Sequence, residues 1–183
     1  MTFTKEIVKE VKIKIETDTV LFFDMDGTLV NTDFANFLSY KEAIQSVVQN
    51  SIDILYNPDE RFNRSYLKRV APNLSEEEYL QIIQQKEKNF SEQLSHTELN
   101  KTVANIPLKY YNTNKTVLVT NCRENRAQMT LSHHNLSDKF SNIFFRQISN
   151  NGDRINKYKN AILSLGGIAT VYWRIFVRQL LYY

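Results

Sequence analysis

Two aspartates separated by one residue follow an apolar run in the stretch VLFFDMDGTLVNTD, Val20 to Asp33. In extended chain, residues i and i+2 point the same way, so Asp24 and Asp26 project into one small space. Two like charges placed together call for a cation or a ligand to hold them. Gly27 comes next, one of only four glycines in the chain. A glycine permits a tight turn and close approach of a ligand, and the N–H groups of such a turn suit phosphate oxygens. Two carboxylates beside that turn suit a phosphate ester held by magnesium, which commonly combines one or two carboxylates with waters and substrate phosphate.

These residues need a strand that ends at Asp24 and a sheet around it. Four β-branched or aromatic runs read as buried strands: VLFF (20–23), TVLVT (116–120), NIFFR (142–146) and TVYWRIFV (170–177). Helical patterns lie between the later ones, from Glu124 to His134 and from Lys157 to Leu165. Alternating strands and helices predict an α/β fold with a Rossmann-like parallel sheet, which binds ligands beyond the carboxyl ends of its strands. Between the first two strands, residues 33–114 hold no convincing strand. Apolar residues there recur at helical spacing: Phe34, Phe37, Leu38, Ile44, Val47, Val48 and Ile52, then Tyr79, Ile82, Ile83, Phe90 and Leu94. Ser75 and Glu78 have the spacing of a capping box opening the second group. The expected organisation is a core made of 1–32 and 115–183 with an inserted helical cap over 33–114. In the first fifteen residues VKIKIE alternates like a strand, while Ile7, Val8, Val11 and Ile15 fit one helix face equally well, and a helix is favoured; no internal repeat is present.

The 183 residues allow one sizeable domain, or a core with an insertion. A composition of 42% hydrophobic and 23% charged residues excludes a disordered chain. The single cysteine, Cys122, excludes an internal disulfide and is read as an ordinary buried residue. The start lacks the apolar stretch of a signal peptide, and no segment is long and apolar enough for a membrane span. A cytoplasmic protein with no membrane partner is expected. The net charge of +3 arises at the C-terminal end, where Arg154 to Tyr183 contain five basic and no acidic residues. No basic run interleaved with aromatics suggests a nucleic-acid groove, so no nucleic-acid partner is expected.

The run DMDGTLVNTD resembles the first motif of the haloacid dehalogenase superfamily, Asp-x-Asp-Gly-Thr/Val after an apolar strand. At ~5% usage of each residue type, the four fixed positions arise by chance in roughly one such chain in a thousand. The resemblance extends to a second motif, Thr120 followed by Asn121, and to a third, Lys157 near a helix start, with Lys159 ranked behind it. It implies magnesium-dependent hydrolysis of a small phosphorylated metabolite. Asp24 would be the nucleophile, forming an aspartyl-phosphate, and Asp26 the acid and base. Thr120 and Lys157 would hold phosphoryl oxygens, Gly27, Thr28 and Asn121 would contact substrate, and Asp24 and Asp26 would hold Mg2+. The second aspartate argues against dehalogenation. Cap residues Tyr40, Lys41, Arg61 and Arg64 are candidates for substrate contact, and His133 and His134 are expected at the surface.

The resemblance breaks at the family's fourth motif, acidic residues that complete the metal site after the strand following the lysine helix. No Asp or Glu follows Asp153. Three explanations compete. Glu124 or Asp153 could substitute; the chain could be a noncatalytic relative that binds a phosphorylated ligand or a protein partner; or the end from about Gly166 could be truncated or frame-shifted, leaving the core short at its C-terminal end. The last is favoured, and an apolar edge strand left uncovered there would invite aggregation.

Overall fold

The computed structural model describes residues 15–48, 53–147, 156–166 and 173–174. In chain order they form β1 (Leu21–Phe23), β2 (Val30–Asn31), α1 (Asp33–Val47), α2 (Arg64–Val70), α3 (Glu76–Asn89), a 3-10 helix (Phe90–His96), β3 (Glu98–Leu99), α4 (Lys101–Tyr110), β4 (Thr116–Val119), α5 (Glu124–His133), β5 (Asn142–Phe144), α6 (Lys157–Ser164) and β6 (Trp173–Arg174). The main sheet runs β5-β4-β1-β6 with every pair parallel.

β1 is buried at all three positions and β4 at all four, which is why both read as unbroken apolar runs rather than alternating ones. Alternate side chains still serve opposite faces. Leu21, Phe23 and Leu118 pack with Val103 and Ala104 of α4 and Ala127 and Leu131 of α5. Phe22, Val117 and Val119 pack against Ala161, Tyr158 and Ile162 of α6. The result is a three-layer α/β/α core with β1 near its centre, so the chain emerges from β1 at Asp24 in the middle of the sheet's carboxyl edge.

α1, α2 and α3 bury their apolar faces against one another. Phe37, Tyr40, Ile44, Phe62, Leu67, Ile82 and Ile83 form a second core without sheet residues, knit by aromatic pairs such as Phe62 with Tyr66, 4.6 Å between ring centroids. The capping box forms as expected: the Ser75 hydroxyl accepts from Glu78 N–H at 3.2 Å, and the Glu78 carboxylate accepts from Ser75 N–H at 2.8 Å. Bonds that this carboxylate accepts from the Ser75 N–H and the Ser75 hydroxyl hold the Glu78 carboxyl below its ordinary range.

Several expectations need correction. The segment 33–114 does contain a strand: β3 pairs antiparallel with β2, and Asn100 N–H extends that ribbon to the Leu29 carbonyl at 3.0 Å. Two residues are too few to show an alternation in sequence. α4 then returns to the sheet. The buried face of α1 is Ala35, Asn36, Phe37, Ser39, Tyr40, Ala43 and Ile44. Phe34 is 38% exposed and meets Tyr56 and His96 edge-on; small and polar residues fill the face that a count of large apolar ones cannot see. His133 is exposed, but His134 is half-buried and hydrogen-bonds the Thr97 hydroxyl at 2.8 Å, and burial lowers its pKa. Cys122 is buried, and burial pushes its thiol up to about 12. The expected strand over 170–177 is described only at Trp173–Arg174, which pair with Leu21 and Phe22. The expected N-terminal helix and Asp153 lie outside the described residues. Among these residues no helix is long and apolar enough to cross a membrane.

Leu118 is fully buried in the sheet, so Leu118→Ala lowers unfolding free energy by about 2–5 kcal/mol. A urea titration checks this, and a loss under about 1 kcal/mol would contradict the packing described.

Candidate functional site

Asp24 is the first residue past β1, and its side chain is 27% exposed. Its Oδ1 accepts from its neighbour Met25 N–H at 2.9 Å and from Lys157 Nζ at 2.6 Å. Lys157 is the first residue of α6, where Asn156 caps the helix by accepting from Tyr158 and Lys159 N–H. A cation at a helix N-terminus opposes the macrodipole; here the Asp24 carboxylate offsets it.

Asp26 faces a different set of cations. Its Oδ1 accepts from the Thr32 hydroxyl at 2.7 Å and lies 3.6 Å from both Arg61 and Arg126. Arg61 also reaches Asp33 at 3.0 Å. No hydrogen bond to Oδ2 of either aspartate forms among the described residues.

The turn after Asp26 closes on one carbonyl. Thr28, Leu29 and Val30 N–H all donate to Met25 O, at 3.0–3.2 Å, and Gly27 N–H donates to Val30 O at 2.9 Å. Gly27 has φ +73°, in the left-handed region, with open space where a Cβ would stand. The N–H groups of Gly27 and Thr28, expected to face a phosphate, therefore serve the turn itself, and the Thr28 side chain is buried. Thr120 ends β4. It is fully buried, its N–H donates to Phe144 O at 2.9 Å and its Oγ1 accepts from Cys122 N–H at 3.0 Å. That bond shapes the loop that exposes Asn121.

Asp26 and Asn121 line a cavity of about 470 Å³ between the sheet edge and the helical insertion. Six basic side chains line it, Arg61, Arg64, Lys86, Arg123, Arg126 and Arg146, against the acidic Asp26 and Glu87. Tyr40 also lines it, while Lys41 does not. Burial raises the Tyr40 phenol to about 12. Asp24, Thr120 and Lys157 stand outside this lining set, so the structure brings the expected residues together as an Asp24–Lys157 pair and an Asp26 cluster.

Sequence reasoning missed Lys86, Arg123, Arg126 and Arg146. A signal existed for two of them. Lys86 lies four residues after Ile82 and four before Phe90, on the apolar stripe of its helix; it is only 4% exposed and lies over the rings of Tyr40 and Phe90, 5.2 and 5.9 Å from their centroids. Arg126 sits in the opening turn of α5 against the dipole, and its guanidinium stacks 3.9 Å from the Phe90 centroid. Burial, and secondarily Arg126, hold the Lys86 ammonium down to about 8.

Magnesium's preferred donors are oxygens, and two carboxylates can supply part of its shell beside waters and substrate phosphate. The Asp26 Oδ2 and the Asp24 carboxylate would fit part of that demand. Among the described residues no group of three or more His, Cys, Asp or Glu side chains could hold a metal.

Neither a protein-family model nor a curated protein matches this sequence. Solved structures do match in fold. A haloacid dehalogenase-like hydrolase from Streptococcus pneumoniae aligns over 81% of this chain and 70% of its own, with TM-score 0.61 and 15% identity. CbbY from Rhodobacter sphaeroides, solved with phosphate, aligns over 81% and 72%, with TM-score 0.61 and 14% identity. A β-phosphoglucomutase-like protein from Thermotoga maritima aligns over 85% and 74%, with TM-score 0.56 and 20% identity.

Two measurements follow from this geometry. Gly27→Ala destabilises the chain by about 1–2 kcal/mol through backbone strain alone, since no atom obstructs the new methyl; a thermal or urea series checks it, and an unchanged midpoint would contradict the left-handed turn. A lysine whose folded pKa is near 8 and whose unfolded pKa is near 10.5 leaves the unfolded chain binding more protons between those values. Stability therefore rises with pH across that window, by up to about 3 kcal/mol. Lys86→Met removes that rise, and equal pH slopes in the two proteins would contradict the burial of a charged lysine. The described residues have the haloacid dehalogenase-like fold, a parallel α/β core bearing a helical cap.

Proposed function

We propose that this chain hydrolyses a small phosphorylated metabolite, with Asp24 as nucleophile. The observation that carries the reading is the Asp24–Lys157 pair at the carboxyl edge of the sheet, with Asp26 two residues on at the mouth of a cationic cavity. The solved relatives support it: CbbY was solved with phosphate and also with xylulose-(1,5)bisphosphate.

Lys157 and Met25 N–H fix one carboxylate oxygen of Asp24, which leaves Oδ2 for attack. Attack of Oδ2 on phosphorus forms an acyl phosphate as the bond to the ester oxygen breaks, and Asp26 delivers a proton to that oxygen. Asp26 then takes a proton from water, which attacks phosphorus and releases phosphate and Asp24. Thr32, Arg61 and Arg126 hold Asp26 in place for both transfers. Lys157 offsets the charge gathered at the phosphoryl oxygens. Magnesium held by Asp24 and Asp26 would supply further positive charge there. Thr120 acts by shaping the loop that presents Asn121. The insertion over 33–114 is the cap, with α4 at its end packing back on the sheet, and the reaction takes place in the cytoplasm.

A second reading, phosphoryl-ligand binding without turnover, is favoured by the metal site: among the described residues no third carboxylate joins Asp24 and Asp26. Hydrolysis of p-nitrophenyl phosphate separates the two. The enzyme reading predicts turnover that Asp24→Asn abolishes, that Lys157→Met lowers by about a hundredfold or more, and that chelation of Mg2+ stops. Phosphate binding with no turnover in folded wild-type chain would contradict it.

A further inference from the structure

The cavity beside Asp26 holds more positive charge than one phosphoryl group requires. Of its six cations, Arg61 and Arg126 face Asp26, and Arg61 also binds Asp33. Lys86 has Glu87 at 3.4 Å as its nearest anion, a long contact for so deeply buried an ammonium. Neither Arg64 nor Arg123 forms an ion pair among the described residues, and Nε of Arg126 is buried without a hydrogen-bond partner. Arg64 comes from α2, Lys86 from α3, and Arg123 and Arg126 from the loop and helix after β4, so three separate elements direct cations at one space.

We propose that this space is a second anion site, and that the substrate is a phosphate monoester carrying a further carboxylate or phosphate a few atoms from the ester that reacts. Lys86 anchors that group from the floor of the cavity, and Arg64 and Arg123 close on it from the two rims. A buried ammonium whose one anion is a long 3.4 Å contact is costly, and an incoming anion relieves that cost; the depressed Lys86 titration agrees with such a demand. The Arg126 guanidinium stands between the two subsites, with Nη2 3.6 Å from Asp26 and its face on the Phe90 ring that also neighbours Lys86. The Lys86, Arg64 and Arg123 side chains are specificity residues in this account, outside the bond-making steps.

This inference rests on the phosphatase reading for the orientation of the ligand, and binding tests it apart from turnover. Titration calorimetry on full-chain Asp24→Asn compares three ligands of one length: propyl phosphate, phosphoglycerate with its phosphate on the terminal carbon, and propanediol bisphosphate. The second anion tightens binding about tenfold or more over propyl phosphate, a charge-assisted contact's effect, and the stronger of the two doubly anionic ligands identifies the group preferred. That preference falls at least about tenfold in Lys86→Met. Exposed Arg64→Ala, which cannot disturb the core, reduces it as well. Equal binding of all three ligands, binding of none, or a preference unchanged in both variants would overturn the second site. Preference without hydrolysis by wild-type chain would uphold the site and remove the phosphatase reading.

Discussion

Asp24 and Asp26 leave one strand two residues apart, and everything around them answers the repulsion between those two carboxylates. The fold distributes the compensation. Lys157 reaches Asp24 from the far end of the sequence, while Arg61 from the insertion and Arg126 from α5 flank Asp26. Each cation comes from a different layer, so the site exists only when sheet, covering helices and cap are assembled together.

The same requirement explains two departures from helix rules. Lys157 and Arg126 stand at helix starts, where the dipole favours acidic side chains. Local preference is set aside to place cations beside the carboxylates, and such local conflicts concentrate where function is built. Phe90 at the start of the 3-10 helix has a corresponding role on the cap side: its ring is fully buried, supports the Arg126 guanidinium and lies beneath Lys86.

Much of this was legible in the sequence. β1, β4, β5, α5 and α6 appear where apolar runs and helical periodicity put them, because strands buried on both faces and amphipathic helices leave strong local signals. That two carboxylates follow β1 was legible; that they meet separate partners, Asp24 with Lys157 and Asp26 with Thr32, Arg61 and Arg126, was not. The ribbon of β2 and β3 was not, since its two-residue strands carry no pattern, and neither was the return of α4 to the sheet, which depends on contacts distant in sequence. Arg126 and Lys86 look like solvated helix charges until tertiary packing turns them inward; the only marks were the place of Arg126 against its helix dipole and that of Lys86 on an apolar stripe. Among known structures the likeness is one of fold, at 13–21% identity over most of the chain, so the chemistry must be argued from the side chains present.

The claim on which the account turns is that Asp24 attacks phosphorus. Acid quenching of the full chain during turnover of phosphorus-labelled p-nitrophenyl phosphate, followed by peptide mapping, tests it directly. The account predicts hydroxylamine-sensitive label on the peptide that contains Asp24. Label on another residue, or steady release of labelled phosphate with none trapped on the chain, would contradict it.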